Sequence, residues 1–247
     1  MLGTAEMVAA ARTANTLRPE ERAALIRGHF LFSEIEPRLL DSLVRTSRVQ
    51  RLARGEVLFR QGDEGGALYA VSSGAIRISV TGAEGKELTL ALMEPGDVFG
   101  EIALLDGLQR TADARAVEKS ELVVIHRADF LTLLEREPKL ARPIIEMLCE
   151  RLRQTNEFVI DAAFLDLRAR LAKRLLSLAI AHGYETDDGL RIGLKLSQSE
   201  IAQLLGVTRE AVNKQLNVWA RDGILTFEAG YLTLQKQDVL KALAAPR

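Results

Sequence analysis

The sequence predicts an α+β fold in three successive parts: a β-sandwich or jelly-roll-like β-roll, one long helix, and a small unit of short helices closed by a hairpin. Three observations predict it. Helical periodicity gives way at about residue 48 to short, glycine-punctuated apolar runs. From about 137 to 164 apolar residues return at heptad spacing. Beyond about 166, two short amphipathic stretches flank a glycine turn and precede a pair of short strands.

Residues 1 to about 45 read as helix, with 1–29 set apart as an N-terminal extension. "PEERAALIRG" and "IEPRLLDSLV" space their apolar residues by three and four, and Pro19 and Pro37 fall where a first turn tolerates proline. Between 30 and 136 the runs "EVLFRQ", "ALYAVSSG", "AIRISV", "ELTLALM" and "SELVVIH" read as strands of one β-roll domain, with "GAEGKE" a hairpin loop.

The segment 137–165 reads as a long dimerisation helix. Ile145, Leu148, Leu152, Thr155, Val159 and Ala162 recur at spacings 3, 4, 3, 4, 3, while charged residues cover most other faces. Such a seam calls for a partner helix, most simply the same helix of a second subunit. Thr155 interrupts the seam and Asn156 flanks it. These polar groups either specify register or touch a ligand.

In 166–247, "LDLRARLAKRLLSLAIAHG" predicts an amphipathic helix closing at Gly183, and "YETDDGLRIG" reads as a polar loop. Ser197 and Glu200 form an S-x-x-E capping box. Gly206 supplies a turn, Thr208 the next N-cap, and a second helix runs to about Arg221. "ILTFEAGYLTLQ" follows as two strands, a wing. The segment is a winged helix-turn-helix.

Composition excludes several classes. The net charge is −1, no apolar run approaches a membrane span, and Glu6 and Arg12 interrupt the Ala-rich N-terminus. A cytoplasmic protein with no membrane partner is expected. Cys149 is the lone cysteine, and His29, His126 and His182 show no metal-ligand spacing. No nucleophile–base pair or dinucleotide fingerprint points to an enzyme. Charge is uneven: 166–247 holds 12 Lys and Arg against 9 Asp and Glu, a net of +3, while the remainder holds 21 against 25, a net of −4. A basic C-terminal part fits a nucleic-acid-binding module.

Two constellations carry chemistry. Arg209, Glu210, Asn213 and Lys214 lie early in the second helix of the helix-turn-helix, with Ala211, Val212, Leu216 and Val218 on its buried sides. In such a motif that part of the helix enters the major groove. There Arg and Lys donate to guanine, Glu accepts from cytosine and Asn pairs with adenine. The second constellation is "VFGEIALLDGLQRTADARA". The carboxylate of Glu101 suits a sugar hydroxyl, and the guanidinium of Arg110 suits a phosphate. Gly100 permits close backbone approach, Ile102 and Ala103 begin a helical turn with free N–H groups, and Thr111 and Ala112 are small. These are the parts of a ribose-and-phosphate site, and equally those of a surface loop with an incidental Glu–Arg pair.

"FGEIALLDGLQRTA" closely resembles the phosphate-binding cassette of cyclic-nucleotide-binding domains. From about Phe30 the whole chain looks like the cAMP receptor protein branch of the Crp/Fnr transcription regulators, including "AAFLDLRARLAKRLLSLA" and "SQSEIAQLLGVTREAV". The resemblance implies an allosteric regulator that binds double-stranded DNA as a homodimer through 137–165, with RNA polymerase as a further partner. It implies that Glu101 binds the ribose, and that Arg110, with backbone at Thr111 and Ala112, binds the cyclic phosphate. Arg151 and Leu152 match ligand-proximal positions, Thr155 the position that bonds the purine, and Asn156 one that reaches across from the other subunit. Arg209, Glu210 and Lys214 match the base-reading positions, with Ser197 and Thr208 at the helix starts.

Departures from the pattern are specific. Lys214 stands where the best-known member has Arg, Asn213 replaces a small residue, and Asn156 stands at a serine position. The Glu101-to-Arg110 spacing is one residue shorter than in that member. Thr111 resembles a hydroxyl of cGMP-binding kinase domains and also a serine of cAMP-binding members, so cAMP is expected first and cGMP second. An iron–sulfur sensor needs several cysteines, and a haem sensor needs ligands where this chain has no His or Cys between Ser47 and Glu121. Neither group, nor a metal, is expected. A Crp/Fnr-type regulator answering another effector, or none, is the alternative.

Overall fold

The computed structural model describes residues 17–82 and 85–245. The helix expected over the first sixteen residues, and the tip of the "GAEGKE" loop, lie outside them. The chain divides into two compact units, one of 1–80 and 91–149, the other of 81–90 and 150–247. The division falls inside the long helix.

In the first unit, helix α1 (Pro19–Gly28) and helix α2 (Pro37–Thr46) flank a 3₁₀ turn at Phe30–Phe32. Ile26, from the segment read as an extension, is fully buried in the same apolar cluster as Phe32, Leu40 and Phe130. Helix α1 is therefore part of that core.

Eight strands follow: β1 (Arg48–Leu52), β2 (Val57–Phe59), β3 (Ala67–Ser73), β4 (Ile76–Thr81), β5 (Glu87–Met93), β6 (Val98–Phe99), β7 (Asp113–Ala116) and β8 (Ser120–His126). They form two four-stranded sheets, ordered β1-β8-β3-β6 and β2-β7-β4-β5. Between β6 and β7 sits helix α3 (Glu101–Asp106), and after β8 comes helix α4 (Arg127–Arg136).

The apolar run "ALYAV" of β3 has a physical reason, since all five residues are buried. Ala67, Tyr69 and Val71 face a core shared by both sheets, with Ile76, Phe99 and Ala114. Leu68 and Ala70 face the helices, against Ile26, Leu40 and Phe130. A strand covered on both faces cannot alternate with polar residues.

The long helix α5 spans Ala141–Phe164, after a 3₁₀ turn at Pro138–Leu140. It starts later than the 137 expected from the sequence, because Pro138 opens a separate short turn. Ile144 and Met147 are buried, whereas Ile145, Leu152 and Val159 of the heptad seam are 59, 60 and 58% exposed. An α-helix cannot present both sets to one side.

In the second unit, helix α6 (Leu167–His182) is capped by Asp166, whose side chain accepts from the Ala169 N–H at 2.8 Å. The expected polar loop "YETDDGLRIG" is instead a hairpin, β9 (Gly183–Thr186) and β10 (Gly189–Ile192). Its local polarity misleads because β10 also pairs with a distant strand. Leu190 lies opposite Leu234, and Ile192 is fully buried.

Helix α7 (Gln198–Leu205), helix α8 (Arg209–Arg221), the pair β11 (Leu225–Glu228) and β12 (Tyr231–Leu234), and a closing helix α9 (Gln237–Ala244) complete the unit. The sheet order is β11-β12-β10-β9. The expected helix-turn-helix and wing occur at their expected positions. At the wing turn, Ala229 and Gly230 have φ of 53° and 88°, the paired left-handed residues of a tight hairpin.

Candidate functional site

The cassette lies wholly in the first unit. Strand β6 delivers Gly100 to the N-cap of α3 with φ +85°. A Cβ there would sit 2.8 Å from Arg110 Nη1 and 3.2 Å from the Ala67 carbonyl oxygen, so this position requires glycine. Glu101 and Ala103 are each 2% exposed, and Ile102 40%. A Cβ on Gly65 would run into Ala103, which brings the β2–β3 loop against α3. Helix α3 ends at Gly107, φ +75°, with the Leu104 carbonyl accepting from Arg127 Nε at 2.7 Å.

Arg110 is held from several directions. Its backbone N–H donates to the Asp63 carbonyl at 2.8 Å, and its carbonyl accepts from Gly62 N–H at 2.9 Å. Its side chain is 4% exposed. Nη1 donates to the Gly100 carbonyl at 2.9 Å and Nη2 to the Ala67 carbonyl at 2.8 Å. Burial pushes the guanidinium's pKa below its ordinary value, while Tyr69, Glu101 and Asp63 work the other way. Burial pushes the Tyr69 phenol up, against the pull of the Arg110 charge. The two carbonyls, with the nearby charges of Glu101 and Asp63, offset the burial of the guanidinium. Beside it Thr111 is exposed and Ala112 is 5% exposed.

Arg151, Leu152, Thr155 and Asn156 lie on α5 in the other unit. Arg151 is half-buried and the other three are exposed. The Thr155 hydroxyl donates to the Arg151 carbonyl one turn back, at 2.9 Å.

The second candidate site is built by α7 and α8. The Ser197 hydroxyl accepts from the Glu200 N–H at 3.2 Å, and the Glu200 carboxylate accepts from the Ser197 N–H at 2.7 Å. Gly206 turns the chain at φ +63°, and the Thr208 hydroxyl accepts from the Ala211 N–H at 3.3 Å. Arg209, Glu210 and Lys214 are exposed. Asn213 is half-buried, its side-chain oxygen accepting from Gln198 Nε2 at 2.9 Å and Asn217 Nδ2 at 3.0 Å.

Beneath them Val212 and Leu216 are buried as expected, while Ala211 and Val218 are only half-buried. The third anchor is Trp219, fully buried and missed by sequence reasoning. Its 4, 3 spacing from Val212 and Leu216 was the available signal.

Sequence reasoning also missed Phe59 and Tyr69, whose rings lie against Arg110 at 4.2 and 5.4 Å. No local pattern joins residues on β2, β3 and the cassette. Among the described residues no group of His, Cys, Asp and Glu could hold a metal ion, and no helix is long and apolar enough to cross a membrane.

Comparison with known proteins matches both parts of the chain. Residues 49–137 match the cyclic nucleotide-binding domain family and 169–243 the Crp-like helix-turn-helix domain family. The chain is 33% identical over 210 residues to a CRP-like cAMP-activated global transcriptional regulator of Mycobacterium tuberculosis, covering 85% of this chain and 94% of that protein. It is 34% identical over 219 residues to the cyclic AMP receptor protein of Thermus thermophilus, covering 89% and 98%. Among solved structures it resembles the c-di-GMP responsive global regulator CLP of Xanthomonas campestris, with a TM-score of 0.72, 26% identity, and coverage of 81% and 99%.

Proposed function

Because this chain belongs to the Crp/Fnr family of DNA-binding transcription regulators, and is therefore not an enzyme, we propose that a cyclic nucleotide switches it, cAMP first and cGMP second. The observation that carries the reading is the buried Arg110 beside buried Glu101, at a Gly100 whose missing Cβ makes room for the guanidinium. The residues fit the ligand. Arg110 supplies a cation for the cyclic phosphate, Glu101 an acceptor for a ribose hydroxyl, and Ala103, Thr111 and Ala112 a close backbone. Arg151, Leu152, Thr155 and Asn156 would meet the base from α5.

On this reading 30–136 takes the ligand, 137–165 dimerises and 166–247 binds DNA. The exposed Ile145, Leu152 and Val159 support a homodimer through α5. Nucleotide then shifts the population toward a form in which α5 is lengthened or reoriented near Phe164, Leu165 and Asp166. Two α8 helices meet half-sites about 34 Å apart on a near-palindromic operator. Arg209, Glu210, Asn213 and Lys214 read bases, and binding falls steeply with salt. A cytoplasmic place and contact with RNA polymerase follow from the same reading.

The likeness to a c-di-GMP responsive regulator favours a second reading, in which the β-roll answers another effector. Calorimetric titration with cAMP, cGMP and c-di-GMP separates the two, with Arg110→Ala as control. Saturable binding of a cyclic mononucleotide, abolished by the substitution, supports the first reading. Binding of c-di-GMP alone supports the second.

A further inference from the structure

We propose that Phe59 and Tyr69 form a ring platform that parks Arg110 and thereby sets how readily a cyclic phosphate is admitted, a role that rests on the cyclic-nucleotide reading. Three aromatic rings cluster inside the β-roll. Phe59 of β2 and Tyr69 of β3 have centroids 5.7 Å apart, Phe59 and Phe99 of β6 6.2 Å, and Tyr69 stacks on Phe99 at 5.3 Å. The guanidinium carbon of Arg110 lies 4.2 Å from the Phe59 centroid and 5.4 Å from that of Tyr69. Both distances are within the range of attraction between a cation and a ring face.

Two of the donors of Arg110 are committed at the same time. A guanidinium carries five N–H groups in a fixed fork. One N–H of Nη1 donates to the Gly100 carbonyl and one of Nη2 to the Ala67 carbonyl. Nε is buried and has no hydrogen-bond partner among the described residues. With 4% of the residue exposed, the bidentate edge of the fork is out of solvent. A phosphate needs that edge. It therefore competes with two main-chain carbonyls and with the ring faces, and Arg110 must leave its seat before the strong grip forms.

In this parked form the apparent affinity is the intrinsic affinity reduced by the fraction of molecules with Arg110 released. Weakening the platform raises that fraction. Phe59→Leu keeps apolar bulk and removes the ring face, so it tightens nucleotide binding, by about threefold to tenfold from the usual strength of such contacts. The reverse sign would hold if the rings presented Arg110 to the phosphate.

The test is stopped-flow binding of a fluorescent N-methylanthraniloyl cAMP to the full chain, for wild type, Phe59→Leu and Phe59→Tyr. The wild-type rate levels off with nucleotide concentration, at the rate of Arg110 release. Phe59→Leu raises that plateau and tightens binding, and Phe59→Tyr, which keeps a ring, returns both to wild type. Weaker binding in Phe59→Leu, or an unchanged plateau, overturns the proposal.

A second measurement needs no ligand. The thermal midpoints of Phe59→Leu, Arg110→Met and the double variant are non-additive if ring and guanidinium are coupled. Additive midpoints overturn the parking, even if the wild type binds neither nucleotide and the cyclic-nucleotide reading itself has failed.

Discussion

The cassette and helix α8 each carry an Arg and a Glu, yet they solvate them in opposite ways. In the cassette, Glu101 and Arg110 are 2 and 4% exposed, and the arginine already holds two carbonyls. On α8, Arg209 and Glu210 stand in solvent, and only their support is buried, through Val212, Leu216 and Trp219. A small anion must be recognised against water, so the protein bears the desolvation of its charges during folding. A DNA duplex brings a dense row of phosphates and releases counterions on binding, so exposed charges serve it well. The same residue types therefore couple to fold stability in one unit and are nearly independent of it in the other.

Four substitutions sharpen or break that contrast. The largest effect belongs to Trp219→Ala, which empties the support of α8 and costs about 3–5 kcal/mol. Urea unfolding followed by circular dichroism measures it, since Trp219 is the chain's one tryptophan. DNA binding should fail while nucleotide binding persists; loss of both would tie the two units together.

Next is Arg110→Ala, which strands the Ala67 and Gly100 carbonyls in the core and costs about 2–3 kcal/mol without any ligand. An unchanged unfolding midpoint would show that the cassette charge is as independent of the fold as those of α8.

Arg209→Ala is the matched opposite. Stability stays within about 0.5 kcal/mol, while discrimination at one base pair drops by about 1–3 kcal/mol. Selection from a random DNA library, compared with a melting curve, tests both halves.

The smallest is Ser197→Ala, which removes the acceptor for the Glu200 N–H and costs about 1 kcal/mol of α7. Hydrogen exchange at Glu200 should rise more than at Leu216. An even rise across the second unit would mean that α7 does not open by itself.

The parts of this molecule legible in the sequence are those governed by neighbours along the chain. The capping box of Ser197 and Glu200, the turn at Gly206, the cap at Thr208 and the wing turn at Ala229–Gly230 depend on groups within four residues of one another, and all were readable. So were five of the eight described strands of the β-roll, though not β1, β6 and β7, and the order of the cassette residues. What escaped depends on pairing across the fold. "YETDDGLRIG" looks like a loop until β10 meets β12, and Ile26 looks like part of an extension until it joins the core beside Phe32. Trp219, not Val218, is the deep anchor of α8 because the sheet and the neighbouring helices cover that side. The seat of Arg110 is the clearest case. The sequence by itself determined that a guanidinium would follow a Gly–Glu pair at the end of a short helix. Only the tertiary structure decided that it would lie on Phe59 and Tyr69 with both Nη groups bonded to carbonyls, because those rings and the Ala67 carbonyl come from strands 41 to 51 residues away along the chain.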